Sequence, residues 1–132
     1  MIVADASAVV EFALRRRASA RLGARLGSEA VHAPYLIEVE ALNALRRVVR
    51  SEGLSDESAT VARNDLASMP LILYPHRPLM ERIWALRHTL SAYDASYVAL
   101  AELLPAPLIT CDERLARSTG HAAVIELFAP SA

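Results

Sequence analysis

Lysine is missing altogether: every one of the fourteen cations in this 132-residue chain is an arginine. Any mechanism that needs a catalytic lysine is thereby excluded. Cysteine is nearly missing, and the single Cys111 rules out an internal disulfide and suits a reducing cytoplasm. Long hydrophobic runs are missing too. Although 54% of the residues are hydrophobic, no run approaches the roughly 20 apolar residues that a membrane span needs. The opening Met-Ile-Val-Ala-Asp has no basic leader ahead of a greasy core, so neither a signal peptide nor a membrane partner is expected. A large excess of one charge is also absent. The net of -1 speaks mildly against avid polyanion binding through bulk charge. Aromatics make up only 5%, and Trp84, Phe12 and Phe128 read as core residues, which leaves no stacking platform for bases. The histidines His32, His76, His88 and His121 show no metal-ligand spacing and read as surface or structural residues.

What is present is an alternation of short apolar runs with longer helical stretches. The runs are Ile2 to Ala4, Val31 to Ala33, Leu71 to Tyr74, Leu108 to Thr110 and Val124 to Leu127. None shows the strict alternation of a half-exposed strand, which is how strands buried on both faces of a parallel sheet read. The segments between them are long enough for right-handed crossovers. Residues 6–29 read as two helices broken near Arg15, Arg16 and Arg17. Residues 35–69 read as two more, with Gly53 as the stop and Ser55 as the next N-cap. Residues 78–104 form a third pair, divided around His88 to Ala92, and a turn or two follows Asp112. The expectation is a single α/β domain over 1–132 with helices on both faces of the sheet.

Four acids stand at the ends of these elements. Asp5 closes the first run and Asp112 follows the fourth, so both point to the carboxyl edge of the sheet, where sites form when the winding reverses. Glu40 lies in the helix after Pro34, and Asp94 opens the helix that follows Ser91. Each has an ordinary explanation. Asp5 and Asp112 suit N-caps, Ser91-x-x-Asp94 has capping-box spacing, and a helical glutamate is usually solvated. Glu38 is about 200° around the helix from Glu40 and cannot share its pocket. Asn43, one turn beyond Glu40, is placed to hold that carboxylate in one rotamer. Carboxylates that converge repel one another unless a cation neutralises them.

Taken in order, these residues resemble a PIN-domain ribonuclease, most closely the toxin subunit of VapBC toxin–antitoxin pairs. Ile2-Val3-Ala4-Asp5-Ala6-Ser7-Ala8 is similar to the family's first motif, and Pro34 through Leu45 with Glu40 and Asn43 to its second. Ser91 through Glu102 matches the third, and Leu108 through Ala116 looks like the fourth, so the likeness covers about residues 1 to 120. The resemblance implies a three-layer α/β/α fold around a short, mainly parallel sheet of four to five strands. It implies that Asp5, Glu40, Asp94 and Asp112 form an acidic quartet holding Mg²⁺ or Mn²⁺, supported by Ser7, Asn43 and Thr110. It also implies RNA as the substrate, a cognate VapB-type antitoxin and a homodimer. Glu113 is the one acid near the place where some relatives carry a fifth.

Such a cation, held by two or three carboxylates and water, acidifies water and offsets charge on a phosphate, with no need of His or Lys. Grip on the RNA would fall to arginine. The candidates are Arg15, Arg16 and Arg17 at the end of the first helix and Arg46, Arg47 and Arg50 after Glu40, although arginines at helix C-termini also complement the macrodipole. A response-regulator receiver is excluded because it needs paired acids after its first strand and a lysine. A haloacid-dehalogenase phosphatase needs Asp-x-Asp, which Asp5-Ala6-Ser7 is not. The remaining rival is an interaction module whose acids are all caps.

Overall fold

The computed structural model describes residues 1–16 and 19–129. Five short strands form one sheet: β1 (Ile2–Ala4), β2 (Val31–Pro34), β3 (Leu71–Tyr74), β4 (Leu108–Thr110) and β5 (Ile125–Leu127). Every pairing is parallel, in the order β3-β2-β1-β4-β5. The winding therefore runs one way from β1 to β3 and reverses to reach β4 and β5. The switch lies between β1 and β4, and Asp5 and Asp112 follow those two strands.

Burial explains the apolar reading. β1 and β4 are buried at every position, whereas the edge strands β3 and β5 are only partly covered. The first two crossovers carry α1 (Ala6–Ala13) with α2 (Ala20–Leu26), then α3 (Ile37–Glu52) with α4 (Asp56–Ser68). Crossovers running in the same direction with the usual hand place their helices on one face, and α1 indeed packs on both α3 and α4. The crossover from β3 to β4 runs the other way and carries a 3-10 turn (Arg77–Leu79), α5 (Met80–Ala85) and α6 (Ala92–Leu103). α6 lies on β1, β2 and β4 and against α5. The short α7 (Glu113–Ala116) packs on β4 and β5. The result is the three-layer α/β/α arrangement, with all five strands parallel.

α6 is the element that matters most for the site. Seven consecutive residues from Ala95 to Ala101 are buried, and three of them are alanines that let the helix approach the sheet closely. The core around it contains Ile2, Val3, Val9, Leu108, Ile109 and Leu115, all 0–1% exposed. Gly53 terminates α3 with φ 63°, a conformation costly for residues with a Cβ, and Ser55 caps α4 by accepting from Ser58 N–H. Among the histidines, His32 is a satisfied structural residue, buried with Nδ1 at 2.6 Å from Tyr74 Oη.

Two aromatics depart from the core assignment. Trp84 is 68% exposed on α5, where Arg87 covers one ring face at 4.6 Å, and Phe12 is 39% exposed. Phe128 does pack against the core. No helix among the described residues is long and apolar enough to cross a membrane.

Candidate active site

The site is built outward from Asp5. Its backbone N–H bonds to Ile109 O at 3.1 Å, which locks the residue between β1 and β4 at the switch. One carboxylate oxygen accepts from Ser7 Oγ at 2.6 Å and from Ala8 N–H at 3.0 Å, so Asp5 is also the N-cap of α1. The other oxygen accepts from Thr110 Oγ1. Ser7 and Thr110 do more than hold Asp5. Ser7 Oγ accepts from Cys111 N–H at 2.9 Å and Thr110 Oγ1 accepts from Asp112 N–H at 3.0 Å. The two hydroxyls thereby stitch the turn after β1 to the turn after β4 and carry the position of Asp5 over to Asp112.

Asp5 is 5% exposed, and its carboxyl is pushed up to about 6, chiefly by burial and with a contribution from Asp94. The bonds from Ser7, Thr110 and Ala8 oppose that push. Glu40, half-buried in the first turn of α3, is likewise raised by burial first, with Asp94 adding and Tyr97 and Arg47 opposing. Asp94, in the first turn of α6, is raised by burial and then by Asp112, while Arg114 and Ser91 oppose. Asp94 is therefore the common electrostatic neighbour of the other three acids.

The acids converge to that degree and no further. Among the described residues, no three His, Cys, Asp or Glu side chains form a ready-made metal cage. Beside Glu40 a hollow of about 420 Å³ opens, lined by Leu36, Val39, Asn43, Arg47 and Tyr93. The bond to Glu40 comes from Tyr97 Oη at 2.7 Å. Among the described residues Asn43 shares the hollow without making that bond. Burial and the neighbouring acids raise the Tyr97 hydroxyl well above its ordinary range, so it stays protonated and donates. Sequence reasoning missed Tyr97, although its place three residues after Asp94 on the same helix face was a usable signal.

The capping explanation holds for part of the set. Asp112 caps α7 by accepting from Arg114 N–H at 2.8 Å, as Asp5 caps α1. Ser91, not Asp94, caps α6, and Glu40 caps nothing. Glu113 is exposed and pairs with Arg117 at 3.4 Å.

The proposed RNA-gripping arginines separate. Arg47 borders the site. Arg46 lines a different hollow with Asp56 and Thr60, and Arg50 lies in the last turn of α3. Arg15 binds Asp65 at 2.9 Å and Arg16 binds Glu52, both past the end of α1 remote from Asp5. Arg17 lies outside the described residues.

Comparison with known proteins agrees with this architecture. The PIN domain family matches residues 2–120. Ribonuclease VapC12 of Mycobacterium tuberculosis (strain ATCC 25618 / H37Rv) is 46% identical over 129 residues, 98% of this chain and 100% of the relative. The crystal structure of PAE2754 from Pyrobaculum aerophilum superposes with a TM-score of 0.66 at 28% identity, covering 94% of this chain and 82% of that one. A toxin–antitoxin complex from Klebsiella pneumoniae shares the fold with a TM-score of 0.62 at 17% identity, covering 89% and 91%. With four acids around the switch of a 3-2-1-4-5 parallel sheet and a relative this similar over nearly its whole length, the chain belongs to the PIN-domain family, in its VapC-type branch.

Proposed function

We propose that this chain is a metal-dependent endoribonuclease, the toxin member of a VapBC-type toxin–antitoxin pair. The observation that supports the reading is the linkage of the acids: Thr110 joins Asp5 to the Asp112 backbone, Tyr97, one turn after Asp94, bonds Glu40, and Asp94 acts electrostatically on Asp5 and Glu40. A relative of 46% identity bearing the name ribonuclease supports it.

Asp5, Glu40, Asp94 and Asp112 would hold Mg²⁺ or Mn²⁺. An all-oxygen donor set suits these hard cations, which keep several waters and need only two or three direct carboxylates. A positive charge there would also relieve the upward push on Asp5, Glu40 and Asp94. When bound, the ion supplies acidified water and charge compensation at phosphorus. The protein's own part is orientation. Ser7 and Thr110 fix Asp5 in one rotamer, Tyr97 fixes Glu40, and the α7 cap fixes Asp112. Asn43 and Arg47 line the approach to Glu40. Single-stranded or loop RNA is the substrate, and Arg47 faces its phosphates.

The same reading assigns a cytoplasmic location, a cognate VapB-type antitoxin and a homodimer. An exposed apolar patch on α5 and α6, with Trp84 68%, Tyr93 62% and Met80 57% exposed, supports a second copy as its cover. The rival interaction module accounts for Asp5 and Asp112 as caps but leaves Asp94 and Glu40 without a role. The deciding test is Asp94→Asn: cleavage of an RNA oligonucleotide in Mn²⁺ should be lost while circular dichroism is unchanged. Unaltered cleavage would remove Asp94 from the mechanism. Calorimetry showing no Mn²⁺ binding to the unsubstituted protein would favour the rival.

A further inference from the structure

Four carboxylates at one edge of the sheet present a problem to a polyanionic substrate. The strand must cross a negative field to reach the reacting position, and even a bound dication leaves its flanking phosphates facing acids. Among the described residues, two cations border members of the cluster. Arg47, on α3, lines the hollow beside Glu40. Arg114, on α7, lies beside another member, with Nη2 at 3.5 Å from Asp112 Oδ2.

Arg114 differs from the tightly paired arginines among the described residues, and from the similarly exposed Arg117 in that its acid is a member of the cluster. Its backbone N–H makes the α7 cap to Asp112 at 2.8 Å, so the cap does not need the side chain. Among the described residues the guanidinium makes only the long contact to the other Asp112 oxygen, and it is 89% exposed. By contrast Arg25 is bound through Nε and Nη2 to Glu126, and Arg82 to Glu102, all at 3.0 Å or less. A planar fork with five donors, weakly engaged and next to the acids, is suited to phosphate recognition. Its charge also reaches Asp94, where it opposes the effects of burial and Asp112.

We propose that Arg114 is a substrate-positioning residue that grips an RNA phosphate on the α7 side of the acidic cluster, beside Asp112, while Arg47 faces the strand beside Glu40. The inference rests on the ribonuclease reading and deepens it. Because the backbone makes the cap, Arg114→Ala should fold as the unsubstituted protein does.

The experiment is steady-state cleavage of a single-stranded RNA oligonucleotide by the Mn²⁺-supplemented protein over a range of salt concentrations. Arg114→Ala should raise KM about tenfold with kcat within about twofold, since one charge-assisted phosphate contact is lost. The slope of log(kcat/KM) against log[salt] should become shallower by about 0.7, the value of one phosphate contact on a single strand. Arg114→Lys should recover the slope more than the KM, because an ammonium keeps the charge but not the fork. Arg117→Ala is the control, an arginine on the same short helix paired with Glu113, and should leave both quantities alone. An unchanged KM and slope in Arg114→Ala would overturn the inference. A fall in kcat alone would overturn it too, by reducing Arg114 to an electrostatic neighbour of Asp112. Equal effects from Arg117→Ala would do the same by showing only bulk charge. If the unsubstituted protein cleaves no RNA, the ribonuclease reading itself fails, an outcome separate from these.

Discussion

Tyr97 reaches from the buried face of α6 to α3 and donates its hydroxyl to Glu40 Oε1 at 2.7 Å, joining residues 57 positions apart. The phenol is fully buried, so the bond is held in place by packing on the ring. Tyr97→Phe removes the donor to Glu40 and the oxygen that faces Ala6 N–H, and keeps the ring. Its cost in stability should be about 1 kcal/mol, that of one net hydrogen bond. Its cost in function should be larger. A carboxylate released from its orienting partner should lower metal affinity or activity about 10- to 100-fold. Mn²⁺ titration by calorimetry, together with cleavage rates, checks this, and unchanged values in both would show that Tyr97 serves packing alone.

Asp5 makes stability depend on pH in a definite direction. Its folded-state carboxyl is pushed up from 3.8 to about 6 by burial, so the folded protein binds this proton more tightly than the unfolded chain does. Between those values the folded state keeps the proton and the unfolded state has lost it, so stability falls as pH rises from about 4 to 6. The full effect is about 3 kcal/mol, present below pH 4 and gone above about 6. Asp5→Asn should flatten that part of the profile and melt above the unsubstituted protein at pH 7 in EDTA. Added Mn²⁺ should raise the melting temperature of the unsubstituted protein alone. Identical pH profiles for the two proteins would contradict the assignment.

Thr110 is a hinge between two acids, donating to Asp5 and accepting from Asp112 N–H at 3.0 Å, and it is 0% exposed. Thr110→Val keeps the shape and removes both bonds. An unsatisfied buried polar group costs about 1 to 3 kcal/mol, so urea unfolding should shift by at least the lower figure. Thr110→Ser, which retains the hydroxyl, should recover most of it. Equal losses in both variants would trace the effect to the methyl group's packing.

These three residues show what could and could not be read beforehand. Asp5 and Asp112 were legible because each follows an apolar run with helix-capping chemistry, and a parallel sheet sends both to one edge. Ser7 and Thr110 entered through the family likeness, while their cross-stitching depends on β1 pairing with β4, 103 residues apart between the two hydroxyls. The Tyr97–Glu40 bond needs the relative placement of two helices, which no local pattern encodes. The sequence points to Asn43 for that role because one-turn spacing is visible in a sequence and a crossing between helices is not. Composition groups Arg15 and Arg16 with the site, yet both lie beyond Ala13, where α1 has already run about 12 Å from Asp5, and acids claim both. Trp84 reads as a core residue because large apolar residues usually go there, yet apolar residues also make up much of any protein surface.

The exposed Trp84 supplies the last prediction. The indole is 68% exposed beside a groove of about 440 Å³ lined by Leu36, His76, Met80, Ile83 and Tyr93, which is nearly all apolar. Apolar surface concentrated in this way is costly to leave in water. If a second copy covers it, sedimentation of the isolated protein should give a dimer, and its tryptophan emission should shift to the red on dilution as the ring meets water. Trp84→Glu should then sediment as a monomer with unchanged circular dichroism, because the side chain lies outside the core and its loss leaves no cavity. Dimers of unaltered strength in that variant would place the contact on another face. A monomer at every concentration of the unsubstituted protein would leave the patch to a partner of different sequence.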